Sequence, residues 1–494
     1  MRPFSFADWR HWQQQGCTRL PAVVVQENEP LPARWNSFAD QPASVLLESA
    51  QTGRYSYLCD RPSRLIFGEA DRAQIWSGDG AELLEERRGS PLDVLASILA
   101  ECRVPKLAGW PAMTGGLIGV FGYDIVRTWE RLPVSARRDL DVPLFAFLEP
   151  RELFIYDHVT RRLGVVVWRE PGGDLGETFR QASAAAADAL VRWRRSGPAR
   201  SRLSKPPPDS AAWPIASSFS PEEFQTAVLR VKDYIAAGHT YQVNLSRRSS
   251  RATGLPPEAI YEALRGVNPS PYMGLLRLPA FSLVCGSPEL LVKLVDGVVS
   301  SRPIAGTRPR GDAPPEDLHL SAELFASPKE RAEHLMLVDL IRNDIGRVAT
   351  YGSVHVPEFM ALERYSHVMH IVSQVEGRLA SGRTWVDVLR AMFPGGTITG
   401  CPKVRTMEII EELEPVGRGF YTGALGWISY GGEMEMNIVI RSMLVQNGMA
   451  HVQAGAGIVA DSIPARELDE AARKAQALWV ALDRAEAAFG SPER

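Results

Sequence analysis

The chain reads as a mixed helix-and-strand protein, and three observations predict it. The run Leu163-Gly164-Val165-Val166-Val167-Trp168 is strand-like. An Ala-rich helical stretch near 176–193 follows it. Further on, strand-like runs at 282–285, 290–294 and 438–445 alternate with helical patterns at 258–266, 328–342, 402–413 and 466–484.

The helix starts are written in the sequence. Ser220 can cap a helix, Pro221 suits its first position, and Glu223 can close a capping box. Phe224, Val228, Val231 and Ile235 then recur at helical spacing, and Gly238 ends the run. Ser327-Pro328 opens another helix in the same way. Before these lies Arg194 to Ser218, rich in Ser, Pro, Arg and Ala, with Pro206-Pro207-Pro208 at its centre. It has no apolar period and reads as an exposed connection. The predicted division is therefore a region at 1–200, a linker at 201–218 and a second region at 219–486.

Composition narrows the class. The 494 residues are 45% hydrophobic and 23% charged, as in a globular protein, and length allows several domains or one large interlocked one. Net charge is −3 with both signs interspersed, so no basic stripe predicts nucleic-acid binding. No apolar run approaches the roughly 18 residues of a membrane span. The N-terminus lacks a secretory-signal pattern, and five scattered cysteines without Cys-x-x-Cys fit reduced thiols, so a cytoplasmic location is expected.

Two acidic pairs stand out. Glu330 and Glu333 lie three apart on one helix face, and Glu467 and Glu470 repeat that spacing after Pro464. Acids at helix N-termini can simply favour the dipole in water. Two such pairs can instead meet around a hard cation such as Mg²⁺, which takes one or two protein carboxylates. Spacing alone leaves both readings open. Gly455-Ala456-Gly457 likewise suits either a tight bend or backbone N–H groups brought close to a carboxylate. The chain has no Gly-x-Gly-x-x-Gly fingerprint, Gly-x-Ser-x-Gly elbow or His-x-x-x-His pair.

Several motifs occur together in one order. They are Tyr241-Gln242-Val243-Asn244-Leu245-Ser246, Asn268 to Met273, Gly286-Ser287-Pro288-Glu289 and Pro303-Ile304-Ala305-Gly306-Thr307. Lys329 to His334, Tyr365 to His370, Pro394 to Lys403 and Gln453 to Gly457 follow. The set resembles the chorismate-utilising enzymes, the family that includes component I of anthranilate synthase and of aminodeoxychorismate synthase. The resemblance covers nearly the whole chain and is strongest from about 220 to 480. It implies a large two-lobed α+β fold, with antiparallel sheets forming a core flanked by helices and the active site in a cleft.

The resemblance also implies roles. Glu333 and Glu470 match Mg²⁺ ligands, with Glu330 and Glu467 behind them. Tyr421 and Arg441 match partners of the enolpyruvyl carboxylate, and Gly455, Gly457 and Lys474 complete the anion cage. Glu289 matches a general acid, since a carboxyl between Pro288 and Leu290 can have a raised pKa; His370 matches a histidine near the departing group. Lys403 is read as a support of its loop. Ala305 and Thr307 belong to the substrate-binding motif.

Gln242 separates two chemistries. Relatives that add water carry lysine there as a base, whereas ammonia needs none. Asn244, Thr399 and the run Met407 to Pro415 look like folate-branch members, which make 4-amino-4-deoxychorismate. Ala305 looks instead like anthranilate synthases, because many folate-branch members have a nucleophilic lysine there. The expected function is amination of chorismate with ammonia at C4; the alternative is anthranilate synthesis. Leu47, Glu48, Ser49, Pro271, Tyr272 and Met273 resemble a tryptophan pocket, which admits a tryptophan-regulated enzyme or, least expected, a non-catalytic tryptophan sensor. No Gly-x-Cys-x-Gly glutaminase context occurs, so a separate glutamine amidotransferase subunit is the expected ammonia source.

Overall fold

The structure is a computed structural model that describes residues 1–29, 41–49, 53–195, 215–311, 313–364 and 368–489. Most of the expected linker, and Tyr365, Ser366 and His367 of the quoted motifs, lie outside the described residues.

Two twelve-stranded antiparallel sheets form the frame. The strand Arg162–Arg169 shows how they are covered. Leu163 and Val165 pack with helix residues Leu190 and Trp193, while Val166 and Trp168 pack into the core shared with the other sheet. Successive strand side chains point to opposite faces, so a strand covered on both sides needs an unbroken apolar run. The helices Leu175–Arg195, Pro257–Val267 and Pro464–Phe489 cover the outer face of this first sheet through Trp193, Tyr261, Leu264 and Leu482. Its inner face meets the second sheet, where Tyr57 approaches Trp427 with ring centroids 6.2 Å apart. The expected α+β fold, with antiparallel sheets flanked by helices, is the fold observed.

Both sheets draw strands from either side of the 201–218 segment. Ser44–Glu48 pairs with Tyr272–Leu278, setting Leu46 against Leu275, and Gly116–Phe121 pairs with Ala424–Ser429. The helix predicted after Ser220 spans Pro221–Ala236, its Ser220–Glu223 capping box is formed, and Gly238 adopts a φ of 78°.

The strand expected at 438–445 is broken. Met434–Ile438 belongs to the second sheet and Ser442–Gln446 to the first. Val439 to Arg441 cross between them, and Arg441 takes a φ of 50°, outside the extended region. Apolar periodicity cannot show this, because both halves are buried strands. Ser287-Pro288-Glu289 makes a second crossover, from Phe281–Ser287 to Leu290–Val295. The two crossovers run side by side, with Gly286 N–H donating to the Arg441 carbonyl (3.1 Å) and Ile438 N–H to the Glu289 carbonyl (3.0 Å).

A buried ion pair fixes the floor beside these crossovers. The Arg418 and Glu414 side chains are only 1% and 3% exposed, and they meet at 2.7 Å. Arg418→Ala would strand the Glu414 carboxylate in the interior, at a cost of about 3–5 kcal/mol. The midpoint of chemical denaturation should fall accordingly; a change under ~1 kcal/mol would mean that the pair carries little of the local structure.

Candidate active site

The crossovers open into a cavity of about 660 Å³. Of the residues predicted for catalysis, substrate and metal, the structure brings Gln242, Asn244, Glu289, Ala305, His370, Tyr421, Arg441, Gly455, Gly457 and Lys474 to its wall, with Glu330, Glu333, Glu467 and Glu470. One of the set falls elsewhere. Thr399 is fully buried behind the wall, where its hydroxyl donates to the Gly395 carbonyl (2.9 Å). Thr307 pairs with His370 across neighbouring strands, and its side chain is outside the described residues. Lys403 is held by Asp344 at 2.7 Å and by the Ala391 and Met392 carbonyls, so it braces its loop, as expected.

Gly455 and Gly457 lie within the strand Met449–Ile458 rather than in a bend. A Cβ on Gly455 would sit 2.4 Å from the Leu245 carbonyl oxygen, and one on Gly457 would sit 2.5 Å from Gln242 Nε2. At Gly455 only glycine lets the strands come this close, whereas at Gly457 the contact is with the movable end of the Gln242 side chain. Lys474 Nζ donates to the Gly455 carbonyl (3.0 Å), so the polar groups of that residue face away from the partner strand. Strand alternation sends the Gly457 N–H to the same side. Beside it stands Arg441, half-buried and without a salt bridge to any described residue. Arg441, Lys474 and the two glycine amides form an electropositive corner suited to a carboxylate.

Glu289 faces this corner. Burial pushes its carboxyl up to about 7, while the Thr397 hydroxyl and the Lys474 ammonium pull weakly the other way. It therefore holds a proton near neutrality, as a general acid must. Burial lowers the pKa of His370, and its Nδ1 lies 3.3 Å from the Gly306 carbonyl. That carbonyl can only accept, so the neutral ring carries its proton on Nδ1.

The four acids line the same cavity from two helix starts. Ser327 Oγ caps Pro328–Gly346 by accepting from the Glu330 N–H. Glu330 meets Arg308 at 3.3 Å, and Glu470 meets Lys474 at 2.8 Å. As donors, these carboxylates suit a hard cation. Among the described residues no group of three His, Cys, Asp or Glu side chains is gathered closely enough to hold a metal.

Sequence reasoning missed Thr397, Arg308, Arg473 and Gln453, all of which line the cavity. Thr397 was within reach, since it lies two residues before Thr399. The short 3₁₀ turn Gly396–Ile398 presents Thr397 to the cavity and turns Thr399 away. Gln453 shares its strand face with Gly455 and Gly457, a period-two signal.

A second cavity of about 600 Å³ gathers Leu47, Glu48, Ser49, Pro271, Tyr272 and Met273. Pro288 and Ile304 line both cavities and separate them. Glu48 is already held by the Tyr261 hydroxyl (2.6 Å) and by Arg265 (2.9 Å). No helix among the described residues is long and apolar enough to cross a membrane, and all five cysteines are free.

Known proteins similar to this chain share one family. Residues 43–479 match the chorismate binding enzyme family. The chain is 45% identical over 443 residues to aminodeoxychorismate synthase component 1 of Bacillus subtilis, covering 90% of this chain and 92% of the relative. It is 44% identical over 454 residues to anthranilate synthase component 1 of Thermus thermophilus, covering 90% and 93%. Anthranilate synthase component I from Streptococcus pneumoniae superposes with a TM-score of 0.73 at 33% identity, over 86% of this chain and 92% of that one. The menaquinone-specific isochorismate synthase of Escherichia coli, at 18% identity and a TM-score of 0.66 over 97% and 98% of the chains, shares the fold. The chain belongs to the chorismate-binding enzymes.

The raised Glu289 pKa predicts a stability signature. An unfolded carboxyl titrates near 4.3, roughly, so below that pH both states are protonated and burial costs nothing. The penalty grows as pH rises toward about 7 and persists above it. Glu289→Gln, neutral throughout, should be more stable than the parent by about 1–3 kcal/mol at pH 8, and this excess should vanish near pH 4. Denaturant titrations at the two pH values measure it; an excess that does not change with pH would contradict a buried, protonated Glu289.

Proposed function

We propose that the protein aminates chorismate to 4-amino-4-deoxychorismate, with loss of the C4 hydroxyl as water. The observation that carries amination is Gln242 in the cavity wall, an amide that cannot serve as a base for water. Ammonia is already a nucleophile. In this reading Arg441, Tyr421 and the glycine amides hold the enolpyruvyl carboxylate. Glu289 gives its proton to the leaving hydroxyl, and neutral His370 stands beside the departing group. Mg²⁺ held by Glu333 and Glu470, with Glu330 and Glu467 behind them, would neutralise the ring carboxylate. Ammonia is supplied free or by a separate glutamine amidotransferase subunit, in a cytoplasmic setting that suits the free thiols.

Asn244 supports the C4 product: it is buried in the cavity wall, and its side chain donates to the Ile398 carbonyl (3.0 Å). Thr399 lies behind the wall and supports this branch only through the loop it braces. Ala305, on the wall, favours anthranilate as the second reading, and it rules out a covalent lysine adduct at that position. The second cavity is the candidate tryptophan pocket.

Three outcomes are expected. Chorismate, Mg²⁺ and ammonia should yield a product that becomes para-aminobenzoate only after the downstream lyase is added; fluorescent anthranilate formed without the lyase would support the second reading. Chelation by EDTA should abolish turnover, and Glu333→Gln or Glu470→Gln should cost several kcal/mol of transition-state stabilisation, roughly a hundredfold or more in kcat/KM. Undiminished activity in EDTA would refute the metal role. Because the protonated acid is the active form, kcat/KM should fall as pH rises through about 7. A profile flat to pH 9 would remove Glu289 from the mechanism.

A further inference from the structure

A smaller chamber of about 30 Å³ lies behind the main cavity, and Tyr421 and Gln453 line both. Roughly 10–15 Å³ holds one water molecule, so this chamber takes a ligand of one or two heavy atoms.

Its polar lining comprises Gln453, Arg248, Arg418, Tyr421, Ser442, whose hydroxyl donates to the Ile440 carbonyl (2.8 Å), and His451, whose Nδ1 meets Ser250 Oγ (2.8 Å). Gln453 is 6% exposed, and its Nε2 donates to Ser246 Oγ (2.9 Å). The Ser246 hydroxyl spends its single proton on Glu414 Oε1 (2.8 Å). Ser246 can therefore only accept from Gln453, which fixes the amide with its oxygen pointing away from the serine. That oxygen, Gln453 Oε1, is buried and has no hydrogen-bond partner among the described residues. Across the strand pair stands Arg248, 7% exposed. Its Nη2 pairs with Asp139, while its Nη1 is buried and likewise unpartnered. Arg418 also lines the chamber, with its donors already engaged on Glu414, Thr422 and the Ile398 and Asn244 carbonyls.

An orphaned acceptor and an orphaned donor call for a ligand that both donates and accepts. Ammonia does so, through three N–H groups and one lone pair. Two guanidinium groups in the lining disfavour ammonium, so the neutral form is selected. Water satisfies the same atoms but, on the amination reading, is not the reactant.

We propose that this chamber is a binding site for one molecule of ammonia and that Gln453 is the residue that positions it at the edge of the main cavity. The inference rests on the amination reading above and goes beyond it by assigning the nucleophile its own site.

The test is steady-state kinetics with an ammonium salt as the probe, chorismate and ammonia being varied separately. Gln453→Met removes the acceptor at similar volume. Val439→Ile adds a methyl group to another wall of the chamber without touching Gln453. Gln453→Met should raise the KM for ammonia about tenfold or more, and Val439→Ile about threefold or more, with the KM for chorismate within about twofold. An unchanged ammonia KM in Gln453→Met would overturn the proposal, as would a rise in both KM values together, which marks a structural role or a contact with chorismate. If Gln453→Met does not fold, Val439→Ile decides: an unchanged ammonia KM there overturns the site. Wild-type protein that fails to aminate chorismate at any ammonium concentration would instead overturn the amination reading itself.

Discussion

The Arg418 guanidinium is the constraint on which the site depends. It has five N–H donors and uses them all: Nε and Nη2 on Glu414, Nη1 on the Ile398 carbonyl and Thr422 Oγ1, and Nη2 also on the Asn244 carbonyl. Its Cζ lies over the rings of Tyr123 and Tyr421, 5.0 and 5.5 Å from their centroids. A buried ion pair is weak evidence for stability by itself, because desolvation offsets most of the attraction. Its value here is geometric. One planar group reads the strand carrying Gln242 and Asn244, the turn carrying Thr397, and the segment carrying Tyr421. Glu414 extends the same network through Ser246 to Gln453. A flexible lysine would offer three donors on a point charge and could not hold the three segments in one plane.

Around that floor charges of both signs line one cavity. Arg441, Lys474 and the glycine amides line it with four carboxylates, of which Glu470 pairs with Lys474 at 2.8 Å, and Glu289 keeps its proton there through burial. The topology makes this possible: both crossovers pass between the sheets at one point, so residues from strands, helices and the turn meet there. The shared wall of Pro288 and Ile304 brings the second cavity into contact with the first.

Much of this was legible in the sequence. Helix starts were read from caps, because capping is a local hydrogen-bond pattern. Most site positions were read from ordered motifs, which mark where the backbone must pass close to a ligand. What was not legible was long-range. Pairing of Leu46 with Leu275 joins residues more than 200 apart and leaves no periodic trace. The break at Val439 to Arg441 was hidden by apolar runs on both sides. Thr399 seemed a better site residue than Thr397, because a 3₁₀ turn reverses the facing of neighbours and sequence does not print it. Glu414 was read only as part of a branch-specific run, although its position is set by the need to pair Arg418.

The central claim is that the buried pair organises the cavity rather than merely stabilising the chain. Arg418→Met combined with Glu414→Leu removes both charges at once and leaves neither stranded. Such replacements are often neutral or stabilising by about 1–4 kcal/mol. The account predicts a double variant that folds as stably as the parent yet binds chorismate about tenfold more weakly or worse, since Asn244, the Thr397 turn and Tyr421 lose their common tether. Calorimetric titration of chorismate into the folded double variant measures this. Parent-like affinity in a fully folded double variant would contradict the account.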